Sequence, residues 1–213
     1  MMNKKGRFFT LIGLLLIGAA LTLTIYNIYE NHTAKQRADE ILQQVEAVQA
    51  ENLEKNTSDE ETDASVALVD DRPLYEKYPD MEMPVTVLDG IDYIGTIEIP
   101  ALNLKLPVIS EWSYPNLRIA PCRYKGSAYK DDLILAAHNY SSHFGEIKNL
   151  QPGDEVIFYD AELNCFTYEV IEKEVLDGTA IEEMEAGDWD LTLFTCTYGG
   201  RTRETIRCVI YQP

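Results

Sequence analysis

The first thirty residues hold the feature that most constrains this chain, an uncharged apolar run of 19 residues from Phe8 to Tyr26. As a helix, such a run spans about 28 Å, close to the thickness of the hydrocarbon core of a bilayer. Lys4, Lys5 and Arg7 precede the run, and acidic sequence follows it. Basic residues flanking a membrane helix stay on the cytoplasmic side. We therefore predict a single-pass signal anchor in residues 1–29, with the N-terminus in the cytoplasm and the rest of the chain outside the cell membrane.

A cleaved signal peptide is the alternative interpretation of this run. The apolar region of a signal peptide is usually about 7–15 residues long, and a small-residue cleavage site follows it. Here the small residues Gly18, Ala19 and Ala20 lie inside the apolar run instead of after it. We therefore expect the anchor to be retained.

Residues 30–85 are expected to form a stalk between the membrane and a folded domain. Up to Lys55, apolar residues recur at close to helical spacing, which predicts a helix with one apolar stripe. That stripe could bind a partner, although a solvated helix is the simpler interpretation. Residues 56–71 lose the periodicity and are densely acidic, which is typical of a flexible linker.

The charge of the chain bears on its partners. The net charge is −18, and residues 36–85 alone contain 14 Asp or Glu against 4 Lys or Arg. Nucleic-acid binding requires clustered Lys and Arg that neutralise phosphates. The charge therefore argues against a nucleic-acid partner.

Residues 86–213 form the predicted folded domain, because short β-rich runs dominate there and Pro, Gly, Asn or Asp signals separate them. The helical windows are short and lie near Trp112–Leu117, Phe144–Leu150 and Ala180–Met184. Seven or eight short strands with so little helix predict a mainly β domain, a closed barrel or a sandwich. The clearest runs are YIGTIEIP, LKLPVIS, DLILAAH, DEVIFYD, CFTYEVIEKEVL, LTLFTC and ETIRCVIYQ.

Two of these runs end in a residue that could do chemistry. LILAAH ends in His138 and LTLFTC ends in Cys196, and polar turns follow both. A thiol beside cationic groups has a lowered pKa and is a good nucleophile. His32 belongs to the stalk, and His143, five residues after His138 in a polar loop, is the weaker partner. Structural roles for His138 and Cys196 are the competing interpretation, and spacing alone does not decide between them.

The segment TLFTC, Thr192–Cys196, resembles the TLxTC signature of sortases, the membrane-anchored cysteine transpeptidases of Gram-positive-type bacteria. Three further segments are similar in order and spacing. LILAAHN resembles the histidine strand of the family, FGEIKNLQPGDEVIF the segment after it, and RETIRC the arginine-bearing last strand. The resemblance covers residues 91–213 and implies a closed β-barrel of the sortase type, while the anchor and stalk suit the membrane topology of the family.

Carried over to this chain, the resemblance implies that Cys196 is the nucleophile, His138 the general acid/base and Arg203 the transition-state stabiliser. Cys196 would attack a threonine carbonyl in the C-terminal sorting signal of a secreted protein and form a thioacyl intermediate. The amine of a peptidoglycan precursor or of a pilin lysine would then accept the acyl group. Thr195, beside the nucleophile, is a candidate substrate-binding residue, with an ordinary strand residue as the alternative.

Strand geometry favours Arg203 over its two neighbouring arginines. If the last two runs pair as a hairpin, Arg203 lies level with Cys196. Arg207 would then lie about 13 Å further along, at ~3.3 Å per residue. Arg201 belongs to the turn and is the second candidate.

The subfamily expectation rests on two departures from class patterns. The connection from Leu176 to Leu191 is short, whereas class B sortases carry a longer helix there. The segment RPLYEKYPDMEMP lacks the aspartate–aromatic lid motif of class C. We therefore expect a class D-like or housekeeping enzyme, with class B as the alternative.

No metal or other cofactor is expected. Some relatives bind calcium through acidic loop residues, but the carboxylates of Glu182, Glu183 and Glu185 are most simply a solvated face. Two other function classes stay open. One is a different cysteine acyl-transfer enzyme, such as a peptidoglycan L,D-transpeptidase or a protease. The other is a non-catalytic anchored domain that binds a wall polymer.

Overall fold

One long helix leads into a closed β-barrel. The computed structural model describes residues 4–59 and 72–211. The helices are α1 (Lys4–Asp59), α2 (Leu74–Lys77), α3 (Tyr114–Leu117) and α4 (Ile181–Glu185). Single 3-10 turns lie at Pro100–Leu102, Ala128–Lys130 and Ile147–Asn149. The strands are β1 (Thr86–Leu88), β2 (Ile91–Ile99), β3 (Leu104–Ile109), β4 (Cys122–Lys125), β5 (Leu133–Ala137), β6 (Glu155–Asp160), β7 (Cys165–Asp177), β8 (Leu191–Cys196) and β9 (Thr202–Ile210).

The sheet closes on itself. Its strand order is β1-β2-β3-β4-β5-β8-β9-β7-β6, and β6 pairs back with β2. Eight strands, β2 to β9, therefore form the barrel, and β1 adds to β2 outside it. The pairs β3–β4 and β5–β8 are parallel, and the other described pairs are antiparallel. The predicted closed barrel with few short helices is confirmed, and each predicted helical window contains a short helix or a 3-10 turn.

The seam between β2 and β6 depends on a glycine. Gly95 of β2 lies opposite Asp160 at the end of β6. A Cβ atom on Gly95 would lie 1.9 Å from the carbonyl oxygen of Tyr159. Because that oxygen belongs to the backbone, it cannot move aside without opening the seam. The barrel therefore closes where a residue without a side chain allows the two backbones to approach.

Two short strands, β1 and β4, were not among the predicted runs. Asp89 and Gly90 connect β1 to β2 with φ angles of 51° and 76°, the left-handed values of a two-residue hairpin turn. The Asp-Gly pair was thus a usable signal for β1. Strand β4 pairs with β3 only through Ile109 and Cys122. Tertiary pairing, rather than a local apolar pattern, decides its place.

The second half of α1 packs on the outside of the barrel against β1, β2 and β3. Ala38, Val45 and Gln49 are buried on this face of the helix. Glu46, beside them, forms an ion pair with Lys105 at 2.7 Å. The expectation that the apolar stripe is solvated is wrong, because the barrel of the same chain covers it and removes its apolar surface from water.

The first half of α1 is apolar and exposed. Phe9, Leu15 and Ile25 are each about two-thirds exposed or more. The helix is long and apolar enough to cross a membrane. The linker predicted over residues 56–71 falls on the last residues of α1 and, from residue 60, outside the described residues.

Residues after position 72 join the barrel before its first strand. Tyr75 stacks on Tyr129 with ring centroids 4.8 Å apart, and Met83 is buried in the main core. This segment, expected to belong to the stalk, therefore packs against the barrel. Barrel strands supply most of that core, including Leu133, Leu135 and their strand partners in β8.

Candidate active site

Three neighbouring strands, β5, β8 and β9, bring the predicted site residues into one row. In the parallel pair β5–β8, Ala137 lies opposite Thr195, so the next residues, His138 and Cys196, lie side by side. In the antiparallel pair β8–β9, Cys196 lies opposite Arg203. Neighbouring strands are about 4.8 Å apart. The backbones of the three residues therefore form a row about 10 Å long at one end of the barrel.

The strand pleat turns this row outward. Side chains alternate between the two faces of a strand. In β8, Leu193 and Thr195 are buried, whereas Cys196 is exposed. Directly opposed residues of paired strands share a face. Arg203 therefore lies on the same face as Cys196.

A cleft of about 700 Å³ adjoins the row. Its volume is within the range of small-molecule and peptide pockets. The barrel contributes His138, Thr195, Cys196 and the loop after β5, and α1 contributes residues 26–28, 30 and 31. The long helix is thus one wall of the cleft, which nothing in the sequence indicated.

The ring of His138 is half-buried and held by two neighbours. Its Nδ1 lies 3.0 Å from Oδ1 of Asn139. Because an amide oxygen only accepts, this contact is a hydrogen bond in the tautomer that carries its proton on Nδ1, and that tautomer leaves the Nε2 lone pair free. The ring also stacks on Tyr140, with centroids 4.1 Å apart and planes 3° from parallel. His138 can therefore accept a proton at Nε2.

The four cysteines are all free thiols in very different surroundings. Cys122 and Cys208 are buried, and burial raises the pKa of Cys122 to about 12 and raises that of Cys208 as well. Both are buried core thiols and are therefore poor nucleophiles. Cys165 and Cys196 are exposed. Of the four, Cys196 lines the cleft.

Arg203 is opposite Cys196 in the ladder, but its side chain is tied to its own turn. Nη1 donates to the carbonyl oxygen of Gly200 at 2.9 Å and to that of Thr202 at 3.1 Å. The cleft lining includes the neighbouring Glu204 and not Arg203. The guanidinium must leave these two carbonyls to reach a group bound at Cys196.

Thr195 connects the two strands that carry His138 and Cys196. It is buried, and its Oγ1 donates to the carbonyl oxygen of Ala137 at 2.8 Å. This bond joins β8 to β5 at the residues directly before Cys196 and His138. Its role as a substrate contact stays a prediction, since the hydroxyl proton is already used.

Arg207 is a structural residue. It is buried, and its guanidinium donates to the carbonyls of Glu183 and Met184, to the Thr192 hydroxyl and to the Glu174 carboxylate, all within 3.0 Å. It thereby fastens α4 to the outer face of β8 and β9. These four bonds leave it no part in the site.

We expect Arg207→Met to lower the free energy of unfolding by about 3 kcal/mol, because the change leaves buried acceptors and a carboxylate without partners. Denaturant unfolding of the barrel, followed by near-ultraviolet circular dichroism in detergent, measures the difference. Arg201→Met is the matched control, since Arg201 is exposed in the turn. Equal midpoints for the two variants would contradict the structural role.

His143 is the histidine that the structure buries completely. Neither ring nitrogen has a hydrogen-bond partner among the described residues. Burial, with a smaller contribution from the charge of His138, lowers the pKa of His143 to about 4. His143 is therefore neutral at physiological pH and is not part of the cleft lining.

This burial predicts a pH dependence of stability. Between pH 6.5 and 4 the unfolded chain binds a proton on His143 and the folded chain does not, so stability falls as the pH drops through that window. The loss attributable to His143 is about 3 kcal/mol at pH 4. The free energy of unfolding is measured for the wild type and for His143→Phe at pH 7 and at pH 4. The other groups titrate in both proteins, so the change in the difference between them gives the contribution of His143. An unchanged difference between the two proteins would refute it.

Comparison with known proteins identifies the family of this barrel. The family model described as "Sortase domain" matches residues 97–212. Sortase A of Bacillus anthracis is 30% identical over 210 residues, covering 92% of this chain and 89% of that relative.

Solved structures share the fold. Sortase C1 from Streptococcus agalactiae superposes with a TM-score of 0.52 at 25% identity, over 60% of this chain and 72% of that one. A Clostridium perfringens sortase C, determined with the C-terminal cell wall sorting motif, superposes with a TM-score of 0.52 at 24% identity. The match covers 65% of this chain and 86% of that one. The named relative is a sortase A and the named structures are class C sortases, so the class D-like or housekeeping expectation stays a prediction. With a family match over more than half of its length and a relative that aligns almost end to end, this chain belongs to the sortase family of transpeptidases.

Proposed function

We propose that this protein is a cysteine transpeptidase that cleaves a threonine-containing sorting signal near the C-terminus of secreted proteins and transfers the acyl group to an amine. The acceptor is a peptidoglycan precursor or a pilin lysine. One observation carries the proposal, the row of His138, Cys196 and Arg203 on three neighbouring strands beside a cleft. A nucleophile, a base and a cation at this spacing suit acyl transfer.

In the first half-reaction, the Cys196 thiol gives its proton to Nε2 of His138, and the thiolate attacks the threonine carbonyl to form a C–S bond. The negative charge that develops on the carbonyl oxygen is stabilised by the guanidinium of Arg203, once it turns from the Gly200 and Thr202 carbonyls. His138, protonated at Nε2, gives that proton to the leaving amine as the C–N bond breaks. The products are a thioacyl-enzyme and the released C-terminal fragment.

In the second half-reaction, the acceptor amine attacks the thioacyl carbon. Nε2 of His138 takes a proton from the amine while the new C–N bond forms. The C–S bond then breaks, and the Cys196 thiolate and the His138 imidazolium are restored. The overall reaction exchanges one amide bond for another without a change in oxidation state, so it needs no external oxidant, reductant or nucleotide.

The same helix that would cross the membrane also lines the cleft. The apolar run ends at Tyr26, and residues 26–28, 30 and 31 border the cleft. Five residues of helix span about 8 Å. With the N-terminus in the cytoplasm, the cleft would lie at the outer surface of the membrane. A secreted protein and a wall precursor both arrive at that surface.

Hydroxylamine trapping tests this function. The detergent-solubilised full chain is incubated with a panel of sorting-signal peptides that contain threonine before the scissile bond, with and without hydroxylamine. Transpeptidation through a thioester yields the threonyl hydroxamate. Without hydroxylamine, a cysteine protease would release the free acid rapidly, whereas a transpeptidase would cleave the peptide mainly when the amine is present. A wall-binding domain would leave every peptide intact. Failure of the whole panel to give hydroxamate would overturn the proposal.

The role of Arg203 is tested against that of Arg201. We expect Arg203→Ala to lower kcat/KM for hydroxamate formation about 10²- to 10³-fold, as loss of one oxyanion donor does elsewhere. Arg201→Ala, in the exposed turn two residues before Arg203, is expected to stay within about threefold of the wild type. The reverse order of effects would assign the stabilising role to Arg201.

A further inference from the structure

Two residues of α1 form hydrogen bonds with the loop that follows β5. Glu30 Oε2 accepts a hydrogen bond from the Tyr140 hydroxyl at 3.0 Å. One residue on, Asn31 accepts from the backbone N–H of Ser142 at 3.3 Å and from its hydroxyl at 3.4 Å. A juxtamembrane segment more than a hundred residues away in sequence therefore holds the loop that begins with His138.

The ring of Tyr140 connects α1 to His138, because it bonds to Glu30 and also stacks on the imidazole. One face of the phenol ring stacks on the imidazole of His138, 4.1 Å away and parallel within 3°. His143, fully buried, meets Tyr140 in an edge contact at 5.4 Å and 65°. The ring is thus fixed by a core side chain and, through its hydroxyl, by Glu30. The plane of Tyr140 in turn defines the plane in which the imidazole can lie.

We propose that Glu30 and Tyr140 are positioning residues, and that the juxtamembrane helix orients His138 for proton transfer through them. The inference rests on the proposed function of His138 as general acid/base. The hydrogen-bond partner of the imidazole is Asn139, its own chain neighbour in the same loop. The orientation of Nε2 therefore depends on what anchors the loop. Small displacements of a catalytic group can cost about 10²-fold in rate.

The contact between Glu30 and Tyr140 is separate from the contacts that attach α1 to the barrel. Ala38, Val45 and Gln49 bury the docking face further along α1, and Glu46 pairs with Lys105 there. Loss of the Glu30 carboxylate would leave all of these contacts in place. Orientation of His138 and attachment of the helix can therefore be separated by single substitutions.

The kinetic test uses the full chain in detergent and the hydroxamate assay. We expect Glu30→Ala and Tyr140→Phe each to lower kcat about five- to tenfold with KM and the melting temperature unchanged, since each removes the same anchoring bond. The double variant should be no slower than Glu30→Ala, because both changes break the bond between Tyr140 and Glu30, and Glu30→Ala already removes the bond that the Tyr26 hydroxyl donates to Glu30 at 2.8 Å. Glu30→Gln keeps an acceptor oxygen and should recover most of the loss. Tyr140→Leu also removes the stack and should be slower still.

Glu46→Ala is the matched control, because it removes a carboxylate of the same helix that pairs with the barrel away from the cleft. Its kcat should equal that of the wild type. Wild-type kcat in both Glu30→Ala and Tyr140→Phe would overturn the inference. So would an equal loss in Glu46→Ala, since that would indicate a general effect of helix docking.

A second measurement does not need activity. The chain has three histidines, so selective ¹⁵N labelling gives few ring signals, and His138→Gln assigns those of His138. We expect the His138 ring signals to shift in Glu30→Ala and in Tyr140→Phe and to be unchanged in Glu46→Ala. The His32 ring signals should be unchanged in all three variants. Unchanged His138 signals would contradict the inference even where hydroxamate forms. Absence of hydroxamate from the wild type would instead contradict the proposed function, whatever these signals show.

Discussion

Replacing Cys196 by alanine is expected to abolish threonyl hydroxamate formation, with a fall in kcat of at least about 10⁴-fold. The reason is chemical: without the thiolate no thioester forms, and hydroxylamine has nothing to intercept. Because the side chain is exposed at the end of β8, the barrel should keep its melting temperature. Chromatography of the peptide products measures the loss.

Cys165→Ala is the matched control for this experiment. Cys165 is also a free, exposed thiol at a strand end, and it lies outside the cleft lining. We expect the Cys165→Ala protein to retain wild-type activity. Brief alkylation followed by mass spectrometry should modify both thiols and spare Cys122 and Cys208, which the barrel buries. Full activity of the Cys196→Ala protein would contradict the proposed mechanism. Equal losses of activity in Cys196→Ala and Cys165→Ala would indicate a folding defect.

The second large effect is expected at His138. We predict that His138→Gln lowers kcat/KM about 10²- to 10⁴-fold, the usual contribution of a general acid/base. Glutamine can still bond to a neighbouring amide but cannot carry a proton between the leaving and entering amines. The hydroxamate assay at saturating and at limiting peptide separates the effect on kcat from that on KM.

His32→Gln supplies the comparison for His138. His32 is exposed on α1, one residue beyond the contact of Asn31 with the loop after β5. Its substitution is expected to leave the rate unchanged. If His138→Gln retained most of the activity, proton transfer would have to be assigned to another group in the cleft.

Local sequence predicted most of the strands, because runs such as LILAAH and LTLFTC are apolar, short and bounded by turn residues. It also predicted that Cys196 and Arg203 are level, since a hairpin with a short turn has a defined register. Strand β4 was missed because it pairs with β3 at only one residue pair and is not strongly apolar. The hairpin of β1 was missed although Asp89–Gly90 signalled it.

The stalk shows where sequence patterns stop. The apolar stripe of α1 indicated a helix but not which part of the molecule covers the stripe. Periodicity shows which face of a helix is apolar and does not identify the surface that packs against it. In the structure the partner is the barrel of the same chain. The contacts of Glu30 with Tyr140 and of Asn31 with Ser142 have no sequence signal, as they join polar residues of two distant segments.

By itself, then, the sequence determined a membrane-compatible helix, a β domain and the pairing of a cysteine with an arginine, since these depend on local periodicity and on short connections. Only the tertiary structure decided that β5 lies parallel to β8, which brings His138 beside Cys196 across the 53 residues that separate the two strands. It also decided that α1 closes one side of the cleft. Both depend on long-range packing of the barrel, whose free energy comes from burying surfaces that no local pattern assigns to each other.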